Sequence, residues 1–467
     1  MKEKSPRKQG ATRPDSGPAL EEALRQLGGR IVFLKYQFPD MQGNIREVTL
    51  TRESVKGDGR TSVDGSSVFG KIIPPTESDM LLIPDPGTLR AIPWQEDTGR
   101  VICDVSHPPR EEGRNPEPFE GCSRSVLAAV EKRLAEVLGE PVARRFGKPE
   151  KFHAHMAPEV EFILLPADYP CDSLHTDQGL ANDHYFTPPQ NRVDAALKEM
   201  TACLAAMGMK REKYHTEVTR YQYEIGVGHG NALAMADATV TLKNVIVNVA
   251  ERHGLRASFM PKFRKGVNGS GMHVHQNLAV TVGGREYNLF FDEKRQDGLS
   301  EIGMQYIAGL MAHAREITAI TNPIPVSYKR IVPGCEAPTY IAWDWENRTA
   351  LCRGHSRGTR KVRVEYRAPD PTCNPYLAYA AMLSAGLDGI ARKLPLPTAD
   401  KRDFYHDNEG VQELPANLGE ALEEMKASRI LRKNLGDFMV NTLYSMGRGM
   451  WKEYCQEVTD VDIRRFL

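Results

Sequence analysis

Apolar and polar positions alternate differently in the two parts of the chain. In the front part Leu20, Ala23, Leu24 and Leu27 recur at helical spacing and predict a short helix. Arg30–Tyr36 and Ile45–Thr49 have strand character and are separated by the turn Asp40–Asn44; Leu81–Asp85 and Arg100–Val105 add two more strands. A Pro/Gly/Glu-rich stretch from about 107 to 120 marks a boundary. Beyond it the pattern predicts a helix over Ser123–Leu138, a strand over Met156–Leu164, and a long polar loop from 165 to 190. Val193, Ala196, Leu197, Met200, Cys203 and Leu204 form one apolar helical face. Tyr214–Gly228 is expected as two strands around a turn, and Ala234–Arg252 as a helix stopped at Gly254. A helix over Leu299–Ile320 and strands at Tyr340–Trp345 and Lys361–Tyr366 follow, and helices are expected to fill the remainder, notably Pro375–Arg392 and Ile430–Tyr454. No internal repeat or heptad run occurs.

Composition narrows the class. At 467 residues two domains are the natural expectation, preceded by a Lys/Arg/Pro/Gly/Ser-rich tail over residues 1–17 that is expected to be disordered. The domains expected are residues 18–110 and 118–467. Lys+Arg and Asp+Glu are both 61, a balance that argues against a nucleic-acid binder. The eight cysteines are scattered with no Cys-x-x-Cys, as expected of reduced thiols rather than a disulfide frame or zinc site. The N-terminus has charge but no apolar run behind it, and no apolar run approaches membrane-spanning length. The expectation is a cytoplasmic chain with no membrane partner.

Candidate chemistry centres on Asn268-Gly269-Ser270-Gly271-Met272-His273-Val274-His275. Asn and Gly let the backbone turn close to a ligand, and on a strand His273 and His275 share one face. Taken alone, two hydrogen-bonded histidines at a strand start account for this equally well. Carboxylates in matching spacing change the balance. Glu159 and Glu161 share a strand face but run into Phe162-Ile163-Leu164-Leu165, and Glu217 and Glu224 converge if a turn lies between them. Buried like charges need a cation between them, and carboxylates with one imidazole are hard donors that favour Mg²⁺ or Mn²⁺. Arg330, Arg348, Arg353, Arg363 and Arg367 suit a phosphoryl donor and an acid substrate, although singly each also fits a surface salt bridge. No Walker loop occurs, and Gly226-Val227-Gly228-His229-Gly230 matches a dinucleotide fingerprint poorly.

In order, Asp64-Gly65-Ser66-Ser67, Pro158–Phe162, Glu217-Val218, Gln222-Tyr223-Glu224, Phe259–Lys262, Asn268–His275, Asn322-Pro323, Tyr328–Arg330, Pro333–Pro338, Asn347-Arg348 and Arg363–Pro371 resemble the glutamine synthetase family, type I. The resemblance implies an α+β fold. A small N-terminal β-grasp domain would precede a catalytic domain with a curved antiparallel sheet, a split barrel at the subunit interface, and outer helices. It implies two rings of six subunits, with sites between neighbours, and two to three Mg²⁺ or Mn²⁺ ions per site. It assigns Glu161, Glu217 and Glu224 to one metal, and Glu159, His273 and Glu365 to another. Asn268, Gly269, Arg330 and Arg367 would hold L-glutamate; Glu212, His275, Arg348, Arg353 and Arg363 would serve ATP. Glu336 would sit on a closing flap, and Asp64 with Tyr185 would bind and deprotonate ammonium.

The implied activity is ATP-dependent amide formation at the γ-carboxylate of glutamate through γ-glutamyl phosphate, with ammonia as the amine. A ligase for methylamine, a polyamine or ethanolamine is the alternative, and a non-catalytic member ranks last because all six metal-ligand positions are filled. Several positions depart from the family pattern. Phe69 comes early and Lys71 takes an aromatic place, His215-Thr216-Glu217 replaces His-His-Glu, Arg220-Tyr221 replaces a small pair, and Asn277 stands where Ser is common. Tyr405 lies near a modification position of some members, in surroundings that match poorly.

Overall fold

The computed structural model describes residues 17–28, 30–111, 114–170 and 181–466. Nearly all of the expected tail, and residues 171–180 of the expected long loop, fall outside them. The chain folds as two compact units, residues 1–125 and 126–467.

In the first unit the strands are β1 (Phe33–Pro39), β2 (Ile45–Thr51), β3 (Thr61–Asp64), β4 (Asp79–Ile92), β5 (Gln95–His107) and β6 (Glu117–Pro118). Their order is β2-β1-β5-β4-β3, with β6 on β5. β1 runs parallel to β5 and the other pairs are antiparallel. Leu34, Tyr36 and Phe38 alternate along β1 into a core shared with Met80, Leu82, Val101 and Val105. The helix Gly17–Leu27 packs on β4 and buries Leu20 and Leu24. Its apolar face is the one expected from spacing.

The second unit holds β7 (Lys151–Pro166), β8 (Arg211–Thr216), β9 (Gln222–Val227), β10 (Gly230–Asn231), β11 (Leu255–Ser258), β12 (Met272–Val282), β13 (Arg285–Asn288), β14 (Trp343–Trp345), β15 (Cys352–His355) and β16 (Arg363–Tyr366). They make a strongly curled sheet in the order β14-β15-β16-β12-β7-β9-β8, with β10 and β11 on β7 and β13 on β12. All pairs are antiparallel except β14 with β15.

Period two decides what each face carries. Ala154, Met156, Pro158, Val160 and Phe162 on β7, with Met272, Val274, Gln276 and Leu278 on β12, are buried. His155, Glu159 and Glu161 alternate with them on β7, as do His273, His275 and Asn277 on β12, and so share the other face. The helix Ala232–Arg252 packs on β7, and the nearly wholly buried helix Pro375–Ala391 packs on it and on the helix Glu301–Ala312. Asn374 caps Pro375–Ala391 by accepting from the N–H groups of Tyr376 and Leu377, with Pro375 at its first turn.

Four expectations are corrected. The continuous helix over Leu299–Ile320 is two helices, Glu301–Ala312 and Ala314–Thr321, broken where His313 reaches Glu316 (2.9 Å) and Asp388 (2.8 Å). Ile430–Tyr454 is likewise divided into Arg429–Leu435 and Asp437–Gln456 at Gly436, whose φ of 92° no helix accommodates. Helices do not fill the remainder of the chain, because residues 395–417 form none. The helix Ala232–Arg252 is long and apolar enough to cross a membrane by length and composition, contrary to the expectation that no such run exists. Its apolarity serves the core, where residues such as Val240, Leu242, Val245, Ile246 and Val249 are buried.

The helices Glu301–Ala312 and Pro375–Ala391 meet backbone to backbone. A Cβ on Gly389 would lie 2.7 Å from the Cα of Gly309 and closer still to the Gln305 carbonyl oxygen. Gly389→Ala should therefore destabilise the protein by about 1–3 kcal/mol through overpacking. Gly139→Ala, in the helix Ser123–Phe146 with open space around it, should stabilise by about 0.5–1 kcal/mol. Urea denaturation midpoints measure both, and a neutral Gly389→Ala would refute the close helix crossing.

Candidate active site

One cavity of about 320 Å³ in the second unit is lined by every residue singled out above as a site candidate except Asp64 and Glu212. Its floor is the polar face of the sheet, and register sets who meets whom. Glu159 lies opposite His273, Glu161 opposite Glu224, and His275 opposite Glu365.

At one end the donor atoms of Glu159, His273 and Glu365 lie within 4.8 Å of one another. His273 Nδ1 is 3.6 Å from Glu159 and 3.4 Å from Glu365. Burial pushes the Glu159 carboxyl up, but hydrogen bonds from His273 and His275 outweigh it and hold the group below the usual range. Glu365 is wholly buried and is likewise held far down by Arg367, His355, His273 and His275. Burial, with Arg367 nearby, lowers the His273 pKa, so the imidazole is neutral as a ligand must be.

At the other end His215, Glu217 and Glu224 form a second group within 4.8 Å. His215 Nδ1 is 3.4 Å from Glu217 and its Nε2 is 3.3 Å from Glu224. Glu161 faces the same cavity, but its Oε2 is engaged by the Gln222 side-chain amide (2.7 Å) and the Gly271 N–H (2.8 Å). Burial pushes Glu161 up to about 8, against the pull of Arg330 and the Gly271 N–H. Glu217 is pushed up to about 9 by burial and by the charges of Glu161 and Glu224. Buried hard donors in excess of nearby cations fit a divalent metal ion.

Above this floor stand the arginines. Arg353 Nη1 is 3.4 Å from Glu365, and Arg363 Nε donates to His275 Nδ1 at 3.3 Å. Arg367 pairs with Glu365, while its buried Nε has no partner among the described residues. Arg330 is buried and donates to the carbonyls of Ala368 (2.7 Å) and Arg367 (3.3 Å). It also explains two glycines. A Cβ on Gly269 would lie 2.9 Å from Arg330 Cγ, and one on Gly271 2.5 Å from Arg330 Nη2. Asn268 is tied by its N–H to Asn182 Oδ1 at 3.1 Å.

Glu336 and Tyr185 sit on loops, and Asp64 ends β3. Glu336 adopts φ 53°, with its carboxylate 3.8 Å from Arg348. Tyr185 is 41% exposed and meets His215 edge-on at 5.9 Å between ring centres. Burial and Glu217 raise its pKa. Asp64 belongs to the first unit, where it caps the helix Gly65–Phe69. Its carboxylate accepts from the hydroxyls of Ser67 (2.6 Å) and Ser66 (2.7 Å) and from both backbone N–H groups. Those hydrogen bonds, led by the Ser67 hydroxyl, hold it down at about 2.

Glu212 instead lines a larger cavity of about 1020 Å³ that shares Glu159, Lys213, Glu224, His275 and Arg363 with the first. Sequence reasoning missed Lys213 and His355. His355 bonds Glu365 at 2.6 Å, and donor atoms of His275, His355 and Glu365 form a third close group. Its signal was the period-two spacing from Arg353.

Residues 30–108 match the glutamine synthetase β-grasp domain, and residues 122–466 match the glutamine synthetase catalytic domain. The chain is thus an enzyme of two parts, a β-grasp domain followed by a ligase catalytic domain. It belongs to the glutamine synthetase family. It is 37% identical to a glutamine synthetase of Methanocaldococcus jannaschii over 96% of this chain and 98% of that protein. It is also 37% identical to one of Clostridium saccharobutylicum over 94% of this chain and 96% of that protein. Among solved structures it resembles a GmaS/ADP complex (TM-score 0.81, 28% identity, 96% and 99% coverage) and an apo GmaS (0.79, 29%, 95% and 97%).

Because Glu161 and Glu217 are held near 8 and 9, both are protonated at pH 7. A divalent cation entering there must displace those protons, about one to two per ion. Calorimetric titration with Mn²⁺ at pH 7 should therefore depend on the ionisation enthalpy of the buffer, and affinity should rise as pH climbs through 8 to 9. A buffer-independent heat would mean the carboxylates are already ionised.

Proposed function

We propose that this protein joins ammonia to the γ-carboxylate of L-glutamate at the expense of ATP. The observation that carries this reading is the cavity floor of buried carboxylates and imidazoles, flanked by arginines, in a chain of this family. Curated relatives named glutamine synthetase, 33–37% identical over nearly the whole chain, favour ammonia as the amine.

Glu159, His273 and Glu365 would hold one Mg²⁺ or Mn²⁺, and Glu161, Glu217 and Glu224 another, with His215 beside the second. Such ions offset charge on a transferring phosphoryl group. Arg330 and Arg367, with Asn268 and Gly269, hold glutamate. Glu212, His275, Arg353 and Arg363 hold ATP, and Arg348 faces the transferring group. A γ-carboxylate oxygen of glutamate attacks the γ-phosphorus and ADP leaves; ammonia nitrogen then attacks the carbonyl carbon of γ-glutamyl phosphate and phosphate leaves. The proton from ammonium goes to Glu336 in this reading. Asp64, held near pKa 2 by its serine hydrogen bonds, is a weak acceptor better suited to attract the cation. Glu336 closing over the cavity keeps water from the acyl phosphate.

A second reading follows from the likeness to GmaS, a γ-glutamylmethylamide synthetase, and replaces ammonia by a small amine such as methylamine. Phosphate release with ATP, Mg²⁺ and L-glutamate across ammonium, methylamine, ethanolamine and a polyamine separates the two. We expect ammonium to give the highest kcat/KM; a methylamine preference would establish the second reading, and no release with any amine would refute both.

Glu336→Ala should lower amide formation by about 10²–10⁴-fold while ADP and glutamate binding persist. Phosphate should then be released without matching amide. If only nucleotide affinity fell, Glu336 would belong to the ATP site instead.

A further inference from the structure

The two oxygens of Glu365 have different neighbours. Oε1 pairs with Arg367 and lies 3.4 Å from His273 Nδ1, on the side where Glu159 completes the group of three donors. Oε2 accepts from His355 Nε2 at 2.6 Å and from Arg353 Nη1 at 3.4 Å. A carboxylate only accepts, so His355 Nε2 is the donor. We propose that His355, by holding Oε2, keeps Glu365 a one-oxygen ligand and so selects Mg²⁺ or Mn²⁺ against the larger Ca²⁺. The proposal rests on the reading that Glu159, His273 and Glu365 hold a metal ion, and adds how this chain chooses which ion.

Register builds the arrangement. On β16, Glu365 is opposite His275 of β12 on one side and Arg353 of β15 on the other. His355 lies two residues beyond Arg353, so it stands on the same face, diagonal to Glu365 and within reach of its long side chain. The His355 ring is largely buried and meets the His275 ring at 4.9 Å between centres, so a neighbouring strand braces it. Glu365 is itself buried, and its Oε2 stays where the donors hold it.

Carboxylate denticity is a measure of ion size. Mg²⁺ demands near-ideal octahedral geometry at about 2.0–2.1 Å, which single oxygens supply, and Mn²⁺ shares that geometry. Ca²⁺ takes about six to eight oxygens at about 2.3–2.6 Å and readily uses both oxygens of one carboxylate. With Oε2 engaged by two N–H donors, Glu365 offers Oε1 alone. Ca²⁺ then lacks a ligand that the smaller ions do not need. Arg353 is the weaker of the two restraints, at 3.4 Å against 2.6 Å, and in the proposed reaction it also serves ATP. The selection therefore falls mainly to His355. Hydrogen-bond partners behind a ligating carboxylate commonly change metal affinity by about 10–100-fold when removed.

The test reads two ions at one site. Mn²⁺ binding is followed by the electron paramagnetic resonance of the free ion, and Ca²⁺ by its displacement of Mn²⁺ from the site that Glu365→Gln abolishes. His355→Phe and His355→Leu, each checked for an unchanged melting temperature, should lower the Mn²⁺/Ca²⁺ affinity ratio by about 10–100-fold. Mn²⁺ should bind more weakly while Ca²⁺ binding is kept or strengthened. His355→Gln, which keeps an N–H donor, should retain the wild-type ratio. An equal loss for both ions would give His355 only a structural role and overturn the proposal. So would an unchanged ratio in whichever of the two variants folds, a His355→Gln that loses the ratio, or a wild-type site indifferent between the ions. If Glu365→Gln removes no Mn²⁺ site at all, the metal reading itself falls, a result distinct from a site that binds without choosing.

Discussion

The constraint on which the second unit depends is electrostatic. Antiparallel pairing of β7 with β9 and β12 brings Glu159, Glu161, Glu224 and His273 onto one face, and Glu217 and Glu365 close in from either side. Two carboxylates 4 Å apart repel by about 4 kcal/mol even at an effective dielectric of about 20. The two ends of the cavity meet this differently. Glu365 is surrounded by Arg367, Arg353, His355 and His273 and is held in its charged form. Glu217 faces Glu161 and Glu224 and is pushed towards its neutral form. The end poorer in cations of its own is the end where an added cation gains most.

That arrangement persists only because register is fixed from the opposite face. A slip of β12 by one residue against β7 would turn Val274 to the cavity and His273 into the core. The penalty is severe because the apolar side is closely covered by the helix Ala232–Arg252 and, beyond it, by helices that touch through bare glycine backbone. Packing on one side thus specifies charge placement on the other.

Legibility in the sequence follows the same physics. Period two alone puts His273 with His275, and Glu159 with Glu161, on common faces, so those pairs could be read without a fold. Many of the longer strands and helices were legible from periodicity, β3, β13 and β15 were not read as strands, and Asp64-Gly65-Ser66-Ser67, read as a turn, begins a short helix that Asp64 caps. Which strands are neighbours was not legible from spacing, and so neither was the opposition of His155 to Asn277 or the contact of His355 with Glu365. The break at Gly436 had a local signal that the apolar periodicity overrode. The break at His313 had none, because its partner Asp388 is supplied by a helix far along the chain.

The loops around the cavity obey a different rule from its floor. Phe186, Tyr221, Glu336, Glu346 and Ser356 all take left-handed φ values between 53° and 70° without being glycine. Each borders a cavity residue or bonds one: Phe186 follows Tyr185, Tyr221 precedes Gln222, Glu346 reaches Arg353 and Ser356 accepts from Arg363. Backbone held in such conformations costs about 1–3 kcal/mol per residue and persists where surrounding contacts over-determine it. Among the described residues the Glu336 carboxylate lies 3.8 Å from the half-exposed Arg348, and its carbonyl accepts from Arg367 at 3.5 Å. Strain with few restraints is what the closing role proposed for Glu336 would require.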